Sequence, residues 1–248
     1  MLPLRTHSLC WTIVFSGLLL CHGASGTESG PGVADNIQPF EATYGISISG
    51  VPLGMMTRTF RLANDNTYEY VSDTRSNGII SLIKKVHIKE SSSGVVSANQ
   101  YNGVAYRYRS EEGSKVRSFT AQTAWPEKTM SQVIDDQREV ELNFEELLFD
   151  RLNYQLQLML DVRKPYTDLR YPIGERGKLK EFNFRYLGEE SITTPFGQID
   201  TVKFERGTKA DKRQTTLWCA PSLDNLPVKV VYRDKKQLTE AVLRTYEK

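Results

Sequence analysis

Phe40-Glu41-Ala42-Thr43-Tyr44-Gly45-Ile46-Ser47-Ile48 decides the architecture of this chain. Phe40, Ala42, Tyr44, Ile46 and Ile48 recur at every second residue with mostly polar or small residues between them. That is the period of a strand with one buried face. Outward from this stretch, Gly50 to Gly54 (GVPLG) reads as a turn and Met56 to Leu62 as a second extended segment. Asn64-Asp65-Asn66 turns the chain again into Tyr68-Glu69-Tyr70-Val71. Three antiparallel strands in a meander are expected.

The same pattern continues along the chain. Val86, Ile88 and Glu90 run to Ser91-Ser92-Ser93-Gly94, read as a turn, and Val104, Tyr106 and Tyr108 run to the turn Glu111-Glu112-Gly113-Ser114. Asp135-Asp136 reads as a turn before Val140, Leu142 and Phe144. Phe182, Phe184 and Tyr186 share one face of a later strand, as do Val228, Val230 and Tyr232. The gaps are too short for crossover helices, so the sheet is antiparallel. One segment, Glu145 to Arg163, fits two periods. Leu148, Leu152, Leu156, Met159 and Leu160 have helical spacing, whereas Tyr154, Leu156, Leu158, Leu160 and Val162 alternate as in a strand. Its Leu, Gln, Met, Arg and Glu content favours a helix over Asp150 to Val162, laid against the concave face of the sheet. The expected fold class is mainly β with a helix: a curved antiparallel sheet or half-open β-barrel closed by that helix.

The first 26 residues read as a signal peptide. Arg5 precedes the apolar stretch Leu9 to Cys21, and Gly23-Ala24-Ser25-Gly26 supplies small residues for cleavage near Gly26. Residues 27–39 read as a flexible linker and 40–248 as one β-rich domain. The expected location is periplasmic or secreted, with no transmembrane span after cleavage. A lipoprotein made through Cys21 is disfavoured, because Leu18-Leu19-Leu20 puts no small residue before the cysteine.

Cleavage removes His7, His22, Cys10 and Cys21, leaving His87 and Cys219. One cysteine makes no internal disulfide, and one histidine with one cysteine cannot assemble a structural zinc site. His87 alternates with Val86 and Ile88 and reads as a surface residue, and Cys219 reads as a buried, inert thiol. Adjacent Glu145-Glu146 and Glu189-Glu190 diverge in direction and make poor acid–base pairs. No catalytic residue, metal ligand or cofactor is therefore assigned. The full chain has 32 Lys and Arg against 30 Asp and Glu, and losing Arg5 leaves 31 against 30. That balance gives no field to attract nucleic acid. The basic clusters Arg206, Lys209, Lys212, Arg213 and Arg233, Lys235, Lys236 read as solvated hairpin tips, or as contacts to anionic envelope material.

The stretch Ile192 to Val231 carries the most specific pattern: ITTPFGQIDTVKFERG, then RQTTLWCAPSLDNLPVKVV. Together with Tyr44, Gly50 and Gly54 and with Tyr171-Pro172-Ile173-Gly174, read as a turn, it resembles the exported bacterial family called domain of unknown function 3108, over roughly Phe40 to Tyr246. Where relatives carry an aliphatic residue this chain has Cys219, which argues against a required thiol. The layout is also remotely similar to the half-open barrels of the periplasmic lipoprotein carriers (LolA/LolB-type). The first resemblance is to a family without an established activity and so carries over no catalytic residue, and the second implies a hydrophobic cavity under a curved sheet. The residues expected to line such a cavity are Phe182, Phe184, Tyr186 and Trp218.

Three functions remain open on these grounds. One is a non-enzymatic envelope protein holding a lipid, amphiphile or other envelope-derived ligand. The second is a module that docks another envelope protein, and the third is a glycan hydrolase built from distant carboxylates.

Overall fold

The computed structural model describes residues 37–77, 85–207, 212–235 and 237–248. The expected signal peptide, most of the expected linker, Lys209 and Lys236 lie outside the described residues. Eight strands form the first half: β1 (Phe40–Ile48), β2 (Val51–Leu62), β3 (Thr67–Ser76), β4 (Val86–Ser97), β5 (Gln100–Glu112), β6 (Lys115–Ala124), β7 (Thr129–Ile134) and β8 (Arg138–Asn143). One α-helix among the described residues, α1 (Tyr154–Asp161), leads to β9 (Leu169–Glu175), β10 (Lys178–Thr194), β11 (Gly197–Arg206), β12 (Arg213–Ala220), β13 (Leu226–Asp234) and β14 (Gln237–Glu247). All fourteen belong to one antiparallel sheet ordered β8-β7-β6-β5-β4-β3-β2-β1-β14-β13-β12-β11-β10-β9. Two meanders thus meet where β1 pairs with β14, with Glu41 opposite Glu247 and Ile48 opposite Thr239.

The sheet curls until its free edges, β8 and β9, nearly meet, which closes it almost into a barrel. Links across the gap come from both sides. The Gly177 amide donates to Gln132 Oε1 at 2.7 Å, and Arg176 pairs with Asp135 at 3.5 Å. Phe149, just before the helix, exchanges backbone bonds with β9 through Pro172 O and the Gly174 amide, at 2.9 and 3.0 Å.

Both periods in the segment from Glu145 to Arg163 prove meaningful. The helix is buried on two sides. Leu148, Leu152, Leu156, Met159 and Leu160 join a core with Tyr44, Phe60, Tyr101 and Phe119, while Tyr154, Leu158 and Val162 join another with Tyr171, Phe184, Phe204 and Cys219. Full burial of each such leucine contributes about 1.5–3 kcal/mol, so the helix is the plug of the barrel and not a lid upon it. It is shorter than expected, because residues 151–153 form a turn instead of a helical turn.

That turn is held by a buried polar knot. Asp150 Oδ1 accepts the amides of Leu152 and Asn153 at 2.7 and 2.8 Å, and its Oδ2 accepts the Ser92 hydroxyl at 2.6 Å. Asn153 donates to Tyr68 and to the Tyr101 carbonyl, both at 3.2 Å. Gly103 lies beneath: a Cβ there would meet Asn153 Nδ2 at 2.6 Å.

Three expected turns move. Ser91 to Gly94 is not a turn but the middle of β4, because Ser92 points into the knot and Gly94 passes so close to β5 that a Cβ would lie 2.0 Å from Asn102 O. The reversal comes later, at Ala98 and Asn99, both with positive φ. The expected turn at Tyr171 to Gly174 is likewise strand β9, with the reversal at Arg176-Gly177. The first turn is Ser49-Gly50, so Val51 already belongs to β2.

Candidate functional site

Inward-facing positions of the barrel are aromatic and aliphatic at one level and charged at another. β2 shows the switch. Its inward phase is Met56, Arg58, Phe60, and all three are buried. The other strands place charges in the same phase: Glu90 in β4, Glu175 in β9, Lys180 in β10 and Arg206 in β11, in register with Ser92, Ile173, Phe184 and Phe204 respectively. Together with Arg151, Tyr154 and Gln155 at the start of the helix, and with Glu181, Phe182, Arg213, Thr215 and Tyr232, they line an open cavity of ≈ 900 Å³.

Its carboxylates are mostly occupied. Glu175 pairs with Arg151 at 2.9 Å and with Lys180 at 2.6 Å. Burial would raise its pKa, but these two cations outweigh that and hold it below the ordinary glutamate range. Glu90 accepts the Tyr106 hydroxyl at 2.6 Å, and Glu181 pairs with Arg170. Two arginines are left without a carboxylate partner among the described residues. Arg58 lies against the Tyr44 ring, 5.5 Å from its centroid, and touches Tyr70, yet its buried Nε and Nη1 have no hydrogen-bond partner. Arg206 lies over Phe182 with Cζ 3.6 Å from the ring centroid, and its Nη2 donates to Thr215 at 3.1 Å. Burial pushes its pKa down. Tyr154 sits among Arg206, Arg58 and Arg151; burial still raises its pKa, against their pull.

Only part of the expected lining meets here. Phe182 forms a wall of the cavity. Phe184 is fully buried in the core, stacked near Tyr154 with centroids 6.2 Å apart. Tyr186 packs on Tyr166 and Phe204. Trp218 is on the opposite face of β12 from Leu217, where Lys203 and Lys229 flank its ring at 4.8 and 5.1 Å and its indole donates to Glu190. Arg206, expected at a solvated hairpin tip, instead ends β11 inside the cavity. The signal that marks the missed residues is an arginine in the apolar phase of a strand, as in Met56-x-Arg58-x-Phe60.

Elsewhere the chemistry-bearing residues are quiet. Cys219 is buried and its thiol is pushed far up by burial. His87 pairs with Asp73 at 3.2 Å on a partly exposed strand face. Among the described residues, no group of three or more His, Cys, Asp or Glu is placed to hold a metal ion, and no helix is long and apolar enough to cross a membrane.

The family model described as "Protein of unknown function (DUF3108)" matches residues 39–241. The chain belongs to this family. DUF3108 membership agrees with the resemblance carried by the motifs from Ile192 to Val231. No match is found among the curated proteins. Among solved structures, the beta-barrel-like protein of domain of unknown function DUF1849 from Brucella abortus is similar with TM-score 0.56 at 9% identity, over 86% of this chain and 98% of that one. A "putative lipoprotein" from Parabacteroides distasonis aligns with TM-score 0.33 at 11% identity, over 85% of this chain and 95% of that one. The first likeness concerns the fold alone.

Proposed function

We propose that this DUF3108 protein is a non-catalytic ligand-binding protein of the cell envelope, exported by its first 26 residues, which takes an envelope-derived ligand in the cavity at the charged level of the barrel. The observation that carries this reading is the cavity itself. Seven strands and the helix converge on ≈ 900 Å³ of open space, a size suited to a small molecule. The lining is amphipathic: Tyr154, Phe182 and Tyr232 offer aromatic surface beside the arginines. It therefore suits a ligand with a polar head better than a bare acyl chain.

The rival functions find less support. A hydrolytic pair needs a carboxyl group kept protonated near neutrality. In the cavity Glu175 and Glu181 are both held in the opposite direction, and Asp150, whose pKa burial does raise, is enclosed in the polar knot and does not line the cavity. Docking by strand addition needs an inviting edge, but β8 carries Arg138, Glu139 and Glu141, charges of the kind that discourage pairing.

The test is native mass spectrometry of protein purified from the envelope fraction, compared with Gln155→Trp. Gln155 lines the cavity from a half-buried position on the helix, outside the core clusters, so the substitution fills the site without entering the core. A small molecule retained by the wild type and lost from the variant supports the reading. A molecule held equally by both, or none that binds or rebinds, refutes it.

A further inference from the structure

Resting on the reading of the cavity as a ligand site, we propose that the ligand presents a phosphate monoester, gripped jointly by Arg58 and Arg206. Arg58 is the residue hardest to explain otherwise. It is only 9% exposed, it stands in the inward phase between Met56 and Phe60, and no side chain answers its Nε and Nη1. A guanidinium stays charged at any physiological pH, so burying one with donors unmet lowers stability. A residue placed at such a cost within a cavity is placed for an anion.

The charge count narrows the anion. Arg213 is answered by Asp234 at 3.2 Å and Glu181 by Arg170, which leaves four cationic side chains, Arg58, Arg151, Lys180 and Arg206, facing two carboxylates, Glu90 and Glu175, an excess of two positive charges. A phosphate monoester carries about −1.5 to −2 near neutrality and offers three acceptor oxygens in a tetrahedral fan. One fork of one arginine suffices for a carboxylate, which has a single charge and two coplanar oxygens. Here two arginines approach from different strands, β2 and β11. Arg206 is held flat by Phe182 and anchored by Thr215, so its orientation is set before the ligand arrives.

The phosphate could belong to a lipid headgroup or to a soluble ester, and the test separates them. Wild type, Arg58→Met, Arg206→Gln and the remote surface variant Arg117→Gln are titrated calorimetrically with inorganic phosphate, glycerol 3-phosphate and acetate at fixed ionic strength. Flotation is measured on phosphatidylcholine vesicles with and without phosphatidic acid. The expected result is binding of a phosphate probe at least about tenfold tighter than acetate, weakened at least about tenfold by either cavity substitution and untouched by Arg117→Gln. Binding of the soluble probes assigns a soluble ester; binding only to vesicles with phosphatidic acid assigns a lipid headgroup. Both support the proposal. Arg58→Met should also raise the melting temperature by a few degrees while abolishing binding, which a structural arginine would not do.

Three results overturn the proposal: no phosphate probe binds, acetate binds as well, or binding survives both substitutions. If Arg58→Met fails to fold, Arg206→Gln alone decides. A neutral molecule lost from Gln155→Trp would leave the ligand-binding reading standing and remove only the phosphate; no molecule of any kind would end both.

Discussion

Asp150 makes the pH dependence of stability calculable. Its carboxyl is fully buried, and burial raises its pKa from 3.8 to about 6, against the opposing hydrogen bonds from Ser92, Asn153 and Leu152. The folded value exceeds the unfolded one, so the stability linked to this group is fully present below pH 3.8 and is lost as pH rises through about 6. A shift of roughly 2 pH units is worth about 3 kcal/mol at 1.36 kcal/mol per unit. The protonated acid can keep every contact: Oδ1 still accepts the two amides, and Oδ2–H turns to donate to Ser92 Oγ. Asparagine reproduces that pattern without a charge. Asp150→Asn should therefore match the wild type near pH 4 and gain on it by about 3 kcal/mol by pH 7.5. For a domain of this size that corresponds to about 6–12 °C in Tm. Urea unfolding of both proteins at half-unit steps from pH 4 to 8 measures the difference, in which groups common to both cancel. A difference that stays flat with pH, or that grows in favour of the wild type, would refute the reasoning.

Further outcomes follow from the packing. Leu156→Ala removes a fully buried side chain from the plug and should cost about 2–5 kcal/mol in urea unfolding; a loss below 1 kcal/mol would mean the interior is not filled there. Gly94→Ala drives a Cβ toward Asn102 O and should destabilise by more than about 2 kcal/mol, whereas a neutral effect would contradict the β4–β5 register. Cys219 should resist a disulfide thiol reagent at pH 8 until urea unfolds the chain. Rapid labelling of the folded protein would show that its site opens.

Much of the fold was legible because strand alternation is a local property. Phe40 to Ile48 shows its buried face in the sequence, and Asp135-Asp136 and Gly113 mark reversals that the structure keeps. The errors came where local chemistry has two uses. Ser91-Ser92-Ser93-Gly94 is turn-like in composition, but its serine hydroxyl and its missing Cβ serve the buried knot and a close strand approach instead. The helical segment carried two periods because it is buried on two sides, a fact that no single period can express.

By itself, then, the sequence determined the elements: short amphipathic strands, a helix laid against the concave face of the sheet, and an interior that must be largely apolar. The tertiary structure alone decided that β1 closes on β14, that Trp218 faces away from Phe184, and that Arg58, Arg151 and Arg206 surround Tyr154. The physical reason is one of range. Alternation tells each side chain whether it faces inward, but which inward side chains share a level depends on how the whole sheet curls and on the helix it must enclose.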